Sequence, residues 1–376
     1  MHVTLHITTG CNMNCAYCYS PPNNRLDMEQ ETAYRSIDFI AKKYPINTGI
    51  IFFGGEPLLK KDLIKETIRF AKEKEKNGSC YFHYKTTTNG LLLDKEFLDF
   101  AETVNMQVSI SIDGIEKAHN TFRKTKEGIP TFSVLQEKID LLLKYQPYSK
   151  VLMTVSPETL EYYAESVEYL LNRGFKYLIV SLNYAGNWTD GHIKELSEQY
   201  KKIAKLYEKL ILKEHKFYFS PFEMKLATHI QQDNIECYYC HLAKRQISIA
   251  YNGDIYPCVQ FVKDGVSNTS YKIGDIESGI NVELQNDIYK ESKLQFDVCK
   301  ECDYNPRCNN KCSCLNWQLT GEINRISPVL CETERVLFPV IDKLGERLYK
   351  NGAAMFIQKH YNAVYPILSM LEDMHS

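Results

Sequence analysis

The chain has 376 residues and a formal net charge of −2 at pH 7, with 44% hydrophobic and 24% charged residues. This composition is that of an ordinary globular protein, and the near-neutral charge gives no electrostatic reason to expect a nucleic-acid partner. No apolar run approaches the roughly 18 residues of a membrane span, which argues against a membrane protein. Because the first residues lack a secretory signal, we expect a cytoplasmic protein whose thiols stay reduced.

Short β-branched runs alternate with longer helical segments from residue 3 to about residue 213. Six strand–helix units in succession predict an α/β fold with a parallel sheet, curved into a partial (β/α)6 TIM-like barrel. Chemistry is then expected at the C-terminal ends of the strands. The predicted strands are 3–8, 50–53, 81–88, 107–111, 151–155 and 177–183, and the predicted helices are 28–43, 60–76, 94–102, 131–144, 158–172 and 193–213.

The strand–helix rhythm stops near residue 216, and a cysteine-rich region follows. We therefore expect a barrel over 1–215, a bridging segment over 216–236, a small cysteine-rich domain over 237–335, and C-terminal helices over 336–376 that pack on the barrel. A β-hairpin is predicted over 246–256, with Asn252 and Gly253 in its turn. Bound metal would serve the small domain as a core, as in other small metal-binding domains.

Eleven of the thirteen cysteines fall into two groups with metal-ligand spacing. Thiolates at such spacings hold iron–sulfur clusters or zinc, and three plus eight ligands are enough for about three clusters. Disulfides are the disfavoured alternative in a large chain without an export signal. Cys80 and Cys314 belong to neither group and are predicted to be ordinary buried thiols. The first group is Cys11, Cys15 and Cys18; the second is Cys237, Cys240, Cys258, Cys299, Cys302, Cys308, Cys312 and Cys331.

The first group leaves one iron of a four-iron cluster without a protein ligand, which is where a substrate can bind. The segment CNMNCAYC over 11–18 resembles the CxxxCxΦC signature of the radical S-adenosylmethionine (SAM) superfamily, with Tyr17 as the aromatic residue. The resemblance covers residues 2–213 and implies that the open iron chelates the amine and carboxylate of SAM. It further implies cleavage of SAM to a 5′-deoxyadenosyl radical that removes a hydrogen atom from the substrate.

Further segments that resemble the superfamily follow at successive predicted strand ends. In the family, the GGEP element contacts the SAM amino group, segments after the third and fourth strands lie near the SAM ribose, and an arginine can pair with the SAM carboxylate. A plain turn remains the alternative for GGEP, and a solvated surface position remains the alternative for the asparagine and the arginine. The matching residues here are Gly54, Gly55, Glu56, Pro57, Asn89, Ser111, Asp113 and Arg123.

From Cys240 onward the array resembles the seven-cysteine signature of SPASM domains, which carry two auxiliary [4Fe–4S] clusters. The resemblance therefore implies three [4Fe–4S] clusters, one that binds SAM and two auxiliary ones. Cys237 is the candidate for the fourth ligand of auxiliary cluster I, which otherwise keeps an open iron able to bind a substrate thiolate. A zinc-ribbon-like array is the alternative. The family pattern assigns Cys240, Cys258 and Cys312 to cluster I and Cys299, Cys302, Cys308 and Cys331 to cluster II.

A radical SAM barrel joined to a SPASM domain resembles enzymes that modify a peptide or protein side chain. These include anaerobic sulfatase maturases and maturases of ribosomally made peptides, and they imply an electron donor such as flavodoxin or ferredoxin. Sulfatase maturases usually carry an aspartate, a possible general base, directly after the cysteine of the Gly-x4-Cys element. Val259 stands at that position here and cannot take a proton. Asp254 and Asp275 are weaker candidates for the base.

We therefore expect a peptide maturase that installs a thioether or carbon–carbon crosslink. Many such enzymes carry a leader-binding domain before the barrel, and the sequence shows none, so a separate leader-binding protein is a possible partner. Oxidation of a cysteine or serine to formylglycine is the first alternative. A non-catalytic electron carrier or zinc scaffold is the second, although it would need neither GGEP nor the ordered strand-end segments.

Overall fold

The computed structural model describes residues 1–19, 25–230, 240–262, 271–294, 297–305, 307–308, 312–362, 364–365, 367 and 369. Within them, the strands, numbered β1 to β11 along the chain, form one continuous sheet. From one edge of the sheet to the other, their order is β11-β10-β9-β8-β1-β2-β3-β4-β5-β6-β7. The strands β1 to β7 are all parallel to their neighbours. The predicted α/β partial barrel is confirmed. Its first six strands are β1 (His2–Thr8), β2 (Thr48–Gly54), β3 (Phe82–Thr88), β4 (Gln107–Ser111), β5 (Lys150–Val155) and β6 (Tyr177–Leu182).

Seven α-helices lie in this part of the chain. Six of them correspond to predicted segments within a few residues, except that α6 starts later than predicted. The additional helix, α4, has seven residues and lies where the sequence predicts no helix or strand. Short 3-10 turns that begin at Pro57 and Pro157 precede two of the helices, since proline fits the first turn of a helix. Because of the second turn, α6 starts later than predicted. The helices are α1 (Gln30–Lys43), α2 (Lys61–Glu75), α3 (Lys95–Thr103), α4 (Glu116–Phe122), α5 (Phe132–Tyr145), α6 (Tyr163–Asn172) and α7 (Asp190–Leu212).

Successive side chains along a strand point to opposite faces of the sheet. One face packs against the helices, and the other is the inner face of the barrel. On β1, Val3, Leu5 and Ile7 are fully buried and join a core that includes Ile37 and Ile40 of α1. Strands β3 to β6 also alternate, with one set of residues buried and the other partly or fully exposed. The second set includes Thr87, Ser111, Thr154 and Ser181. The inner face of strands β3 to β6 is therefore partly accessible and carries several hydroxyl side chains.

The predicted bridging segment contains a further strand–helix unit. Strand β7 (Tyr218–Phe219) pairs in parallel with β6, and α8 (Ser220–Ile230) follows it directly. The alternation of strands and helices thus continues past residue 216, contrary to our expectation. A two-residue strand leaves no period-2 pattern in the sequence, which is why it was missed. Residues 231–236 of that segment lie outside the described residues.

The cysteine-rich region is joined to the barrel through the sheet. The predicted hairpin is confirmed: β8 (Gln246–Ile249) and β9 (Asp254–Tyr256) are antiparallel, and Gly253 turns with φ of 88°. Strand β8 also pairs in parallel with β1, and β10 (Gly274–Asp275) and β11 (Gly279–Ile280) extend the sheet beyond β9. Ile247, Ile249 and Ile255 are fully buried, so this region has an apolar core besides any metal. Its helices are α9 (Val282–Glu291), α10 (Asp297–Lys300) and α11 (Ser313–Thr320).

The helix α12 (Pro328–Lys350) packs along α7 and α8, and α13 (Ala354–Tyr361) follows it. It starts eight residues earlier than the predicted C-terminal helices, with a proline at its N-terminus. Cys331 is consequently in its first turn. A buried ion pair between Lys225 of α8 and Glu334 of α12 fixes the contact, with the ammonium also 4.9 Å from the Phe338 ring centroid. No helix among the described residues is long and apolar enough to cross a bilayer.

Substitution Lys225→Ala tests this contact. It leaves the Glu334 carboxylate buried without its cation, which costs about 3 kcal/mol or more in comparable pairs. We expect a clear fall in the thermal unfolding midpoint, measured by circular dichroism. Lys201→Ala is the matched control, since Lys201 pairs with Glu198 on an exposed helix face, where such pairs contribute less than about 1 kcal/mol. Equal midpoints for the two variants would contradict the assignment.

Candidate metal centre and cofactor site

The first cysteine group lies on a loop directly after β1, at the predicted end of the strand. Cys11 and Cys15 are partly buried and Cys18 is exposed, and none of the three is in a disulfide. Burial raises the pKa of Cys15 to about 11, although the nearby Arg123 acts in the opposite direction. Such thiols keep their protons unless a metal displaces them. Three thiols on one loop therefore form a donor set suited to a metal cluster.

Backbone contacts hold this loop in place. The amide of Asn14 donates to the carbonyl of Lys124 at 2.9 Å, and the buried Met13 bridges to Thr125. The amide of Met13 also donates to Cys11 Sγ at 3.4 Å. A hydrogen bond of this kind stabilises a thiolate and leaves it free to bind iron.

The GGEP segment is pressed against the cysteine loop. The amide of Gly55 donates to the carbonyl of Thr8 at 2.9 Å, and that of Glu56 donates to the carbonyl of Gly10 at 2.8 Å. A Cβ on Gly54 would lie 2.0 Å from the Thr8 carbonyl oxygen, and a Cβ on Gly55 would lie 2.3 Å from that of Gly10. Both glycines are therefore required by the close approach of two backbones.

Glu56 is fully buried and joins the loops that follow β2 and β3. Its carboxylate accepts hydrogen bonds from the Leu58 amide at 2.9 Å, the Thr88 hydroxyl at 2.7 Å and the Asn89 amide at 2.7 Å. Burial raises the pKa of Glu56 to about 6, and these hydrogen bonds oppose the rise. Oε1 accepts two of these hydrogen bonds and Oε2 accepts one, so Oε2 can accept a further donor. Pro57 opens the 3-10 turn beside it.

Asn89 connects this network to the cysteine loop. It is 8% exposed, so the solvated surface position considered for it is wrong. Its Nδ2 donates to Asn12 Oδ1 at 2.7 Å and lies 3.7 Å from Cys11 Sγ. An amide donor in this position is within reach of a cluster ligand and of anything bound beside it.

Asp113 and Arg123 are partners of each other. Arg123 donates to both oxygens of the Asp113 carboxylate, at 2.9 and 3.0 Å, and is 8% exposed, so a solvated surface position is wrong for it too. Asp113 also accepts from the Tyr17 hydroxyl at 2.6 Å and the Thr154 amide at 2.9 Å. The bidentate pair uses two of the five N–H donors of the guanidinium, and its contact with a SAM carboxylate stays a prediction. Ser111, at the end of β4, is partly exposed.

A cavity of about 520 Å³ opens beside the cysteine loop. Its lining includes Gly10, Cys11, Asn12, Arg25, Leu91 and Thr125. This volume lies within the usual range of small-molecule sites. A second cavity, of about 370 Å³, lies at the opposite ends of the strands, where Tyr177 and Tyr218 begin β6 and β7. No cysteine lines the second cavity, so the cavity at the loop is the better candidate for a cofactor.

The second cysteine group forms two clusters of thiols in the described residues. Cys314, which we had not included, is at the centre of one: its Sγ lies 3.3 Å from that of Cys258 and 3.4 Å from that of Cys312. Burial raises the pKa of Cys240 to about 12, and Cys312 and Cys258 add to the rise, which places Cys240 near both. The Cys-x-Cys spacing of 312 and 314 is the sequence signal that would have identified Cys314.

The other cluster gathers around Cys331. Burial raises the pKa of the Cys331 thiol, and the neighbouring Cys299 and Cys302 raise it further. Cys308 follows in a turn closed by a hydrogen bond from its amide to the Tyr304 carbonyl at 2.7 Å. No three His, Cys, Asp or Glu side chains among the described residues are arranged to hold a single metal ion. The thiols therefore fit an iron–sulfur cluster by their number and chemistry, not by a preformed single-ion geometry. Cys237 lies outside the described residues.

The two candidate bases face each other on neighbouring strands: Asp254 begins β9, and Asp275 pairs with it from β10. Lys272 Nζ is 2.5 Å from Asp254 and 3.9 Å from Asp275. Hydrogen bonds from Ser278 lower the pKa of Asp275. The neighbouring Glu277 pairs with Arg35 of α1, on the helix side of the sheet. The two carboxylates thus form ion pairs and stabilise a turn. Neither contacts the first cysteine group among the described residues.

Comparison with known proteins agrees with this geometry. Residues 5–198 match the family model of the radical SAM superfamily. The chain belongs to the radical SAM superfamily. Residues 240–313 match SPASM, described as an iron–sulfur cluster-binding domain. Both resemblances found in the cysteine spacing are therefore confirmed, and the family is one of enzymes.

Individual relatives show how far the likeness extends. The protein MJ0907 of Methanocaldococcus jannaschii is 31% identical over 175 residues, which are 46% of this chain and 60% of that protein. The cysteine-type anaerobic sulfatase-maturating enzyme of Clostridium novyi is 25% identical over 329 residues, 81% of this chain and 85% of that enzyme. This radical SAM–SPASM chain is thus matched in both of its cysteine-bearing parts.

Two solved structures have the same fold. The structure of anSMEcpe with bound AdoMet and Cp18Cys peptide has a TM-score of 0.79 at 20% identity and covers 93% of this chain and 99% of that one. Streptococcus suis SuiB bound to its precursor peptide SuiA has a TM-score of 0.61 at 15% identity, with coverage of 88% and 75%. At these identities the likeness establishes the fold alone.

Substitution Gly55→Ala tests the contact between GGEP and the cysteine loop. The added Cβ meets a backbone carbonyl that cannot yield without moving the loop, so we expect iron at the first group to fall. After anaerobic reconstitution the variant should carry about four irons fewer than the parent. The matched control is Gly191→Ala, whose Cβ would approach nothing closer than 3.6 Å. Equal iron contents in the two variants, with both folded by circular dichroism, would contradict the role of this contact.

Proposed function

We propose that the chain is a radical SAM peptide maturase that removes a hydrogen atom from a peptide side chain or Cα and installs a thioether or carbon–carbon crosslink. The observation that carries the proposal is the joining of both cysteine groups by one sheet: the loop of Cys11, Cys15 and Cys18 follows β1, and β8, which pairs with β1, begins the hairpin that leads to Cys258. Burial raises the pKa of Tyr19, and Cys18, Cys258 and Cys314 raise it further, in agreement with this placement. Two cysteine groups joined in this way support two metal centres that share one substrate.

Each of the two cysteine groups has a role in the proposed reaction. Cys11, Cys15 and Cys18 would hold the cluster that binds SAM, and the second group would hold two auxiliary clusters, giving three [4Fe–4S] clusters in all. With SAM bound at its open iron, the first cluster would supply the 5′-deoxyadenosyl radical. Glu56 and Asn89 hold the loops at the edge of the cofactor cavity. Asp113, paired with Arg123, holds Tyr17, which stands between Cys15 and Cys18 in the sequence.

A peptide fits the open inner face of the barrel. Thr87, Ser111 and Thr154 are partly exposed on strands that end at the cofactor side, and Ser181 is exposed. Hydroxyl side chains can hydrogen-bond the backbone of an extended peptide without selecting one side chain. The anSMEcpe structure holds the Cp18Cys peptide and the SuiB structure holds SuiA, which supports a peptide or protein as the substrate class.

Crosslinking agrees with the residues around the auxiliary centres. Formation of a thioether removes two hydrogens from the peptide: one leaves as an atom taken by the deoxyadenosyl radical, and the thiol hydrogen leaves as a proton. One electron remains and passes to an acceptor, a role that metal bound by the second cysteine group would fill. Val259 follows Cys258 where sulfatase maturases usually carry an aspartate, so formylglycine formation lacks its usual base here.

Oxidation of a cysteine to formylglycine is the second candidate. It is favoured by the extent of the match to the C. novyi sulfatase-maturating enzyme, which covers 81% of this chain. The two reactions differ in the fate of sulfur, because a thioether retains it and formylglycine loses it. This difference gives the most direct test between them.

The first experiment measures SAM cleavage. Anaerobically reconstituted protein should contain about twelve irons and convert SAM to 5′-deoxyadenosine with reduced flavodoxin or ferredoxin as donor. Cys15→Ala should abolish this conversion and retain the absorbance of the auxiliary clusters. Cys80→Ala, at a buried cysteine outside both groups, is the control and should behave as the parent. Bound zinc without SAM cleavage would instead support a non-catalytic scaffold.

The second experiment identifies the product. Short cysteine-containing peptides encoded beside the gene are incubated with SAM and reductant and analysed by mass spectrometry. We expect a product that has lost two hydrogens and retains its sulfur. A thioether no longer reacts with iodoacetamide, whereas a carbon–carbon crosslink leaves the thiol reactive. A product that has lost sulfur and reacts with a hydrazide would contradict crosslinking and establish formylglycine. Val259→Asp restores the missing carboxylate and should shift a cysteine peptide towards formylglycine.

A further inference from the structure

Cys314 is the buried thiol that the spacing of the two groups does not account for. It is 4% exposed and lies in the first turn of α11, two residues after Cys312. The SPASM match ends at residue 313, immediately before it. Cys80, the other unassigned cysteine, has Ser79 and Glu75 as neighbours instead of other thiols. Cys314 therefore differs from an ordinary buried cysteine in its surroundings.

Its surroundings are the ligands assigned to auxiliary cluster I. The sulfur of Cys314 contacts the sulfurs of Cys258 at 3.3 Å and Cys312 at 3.4 Å, and Cys240 lies near both of these. Cys258 is also buried, at 5% exposed. Four thiols from three separate segments of the chain thus converge on one volume, and four is the number that a [4Fe–4S] cluster requires.

A second observation comes from Asn316 on the same helix. This residue is fully buried, and neither its Nδ2 nor its Oδ1 has a hydrogen-bond partner among the described residues. It lies four residues after Cys312, which places the two on one side of α11. Buried polar groups are normally hydrogen-bonded, and an amide donor is a common partner of cluster sulfur. The amide of Asn316 is therefore able to donate to an acceptor outside the described residues, such as a sulfur of a cluster bound by these thiols.

We propose that Cys314 is the fourth thiolate ligand of auxiliary cluster I, beside Cys240, Cys258 and Cys312, so that this cluster is closed without Cys237. The inference rests on the proposed function for the presence of that cluster. Cluster corners are farther apart than thiols in contact, so the side chains of Cys258 and Cys314 rotate apart as iron enters and each thiol loses its proton. The start of α11 favours the added negative charge, because its first amides point out of the helix.

Closure of cluster I determines how the enzyme uses it. A cluster with four protein thiolates has no iron free to bind the substrate sulfur. The peptide thiol is then held by protein groups, and the electron released after hydrogen abstraction reaches the cluster without a bond to it. Cys18 of the first group and Cys258 and Cys314 of the second all raise the pKa of Tyr19, which is consistent with a position of this residue near both groups.

The test uses the full chain with Cys11, Cys15 and Cys18 replaced by Ala, so that only auxiliary clusters form. This parent should bind about eight irons. Adding Cys314→Ala should remove iron from cluster I or convert it to a three-iron form with its own paramagnetic signal. Adding Cys237→Ala or Cys80→Ala should leave the iron content and the electron paramagnetic resonance spectrum unchanged. Circular dichroism of every variant confirms that each is folded.

Titration with 2-mercaptoethanol provides a readout that loss of stability cannot produce. Its thiolate should bind the iron left open in the Cys314→Ala variant and change the spectrum, with no change in the parent. A spectral response of the parent, or full iron with an unaltered spectrum in Cys314→Ala beside losses in Cys237→Ala, would overturn the proposal. A parent without iron would instead overturn the proposed function, since neither SAM nor peptide is used in these measurements.

Discussion

The position of β1 in the sheet is the constraint on which the rest of the structure depends. This strand is hydrogen-bonded along both edges, to β2 on one side and to β8 on the other. The loop that carries the first cysteines leaves from β1, GGEP leaves from β2, and the hairpin of β8 leads to Cys258. One buried strand thereby unites the barrel and the cysteine-rich region in a single sheet, with Tyr19 between their thiols.

Two buried carboxylates complete the architecture of the cofactor edge. Glu56 accepts three hydrogen bonds that join the loops after β2 and β3. Asp113 accepts four, from Tyr17, Arg123 and the Thr154 amide, and so joins the cysteine loop to β5. Buried networks of this kind fix geometry strongly, because each unpaired member would be costly. Contacts within the protein therefore help to position the cysteine loop.

Local patterns were sufficient for the barrel and for the cysteine groups. The alternation in β1 and the turn residues around Gly253 are visible in the sequence, as is the spacing of Cys11, Cys15 and Cys18. The two-residue β7 has no such period, and the early start of α12 depends on its packing against α7 and α8. Contacts between side chains of different loops could not be predicted from local patterns either. We expected Asp113 and Arg123 each to contact the cofactor, and the structure shows that they pair with each other. Cys314 was missed because its spacing of two residues from Cys312 was not used, and its proximity to Cys258, 56 residues earlier, is not visible in the sequence.

The central claim is that an iron beside the Cys11 loop has no protein ligand and binds SAM. Electron paramagnetic resonance of the reduced enzyme, with SAM isotopically labelled in its carboxylate oxygens, tests it most directly. The account predicts that the label broadens the signal of the first cluster, because the oxygen is bound to iron. Identical spectra with labelled and unlabelled SAM, in enzyme saturated with SAM, would contradict it.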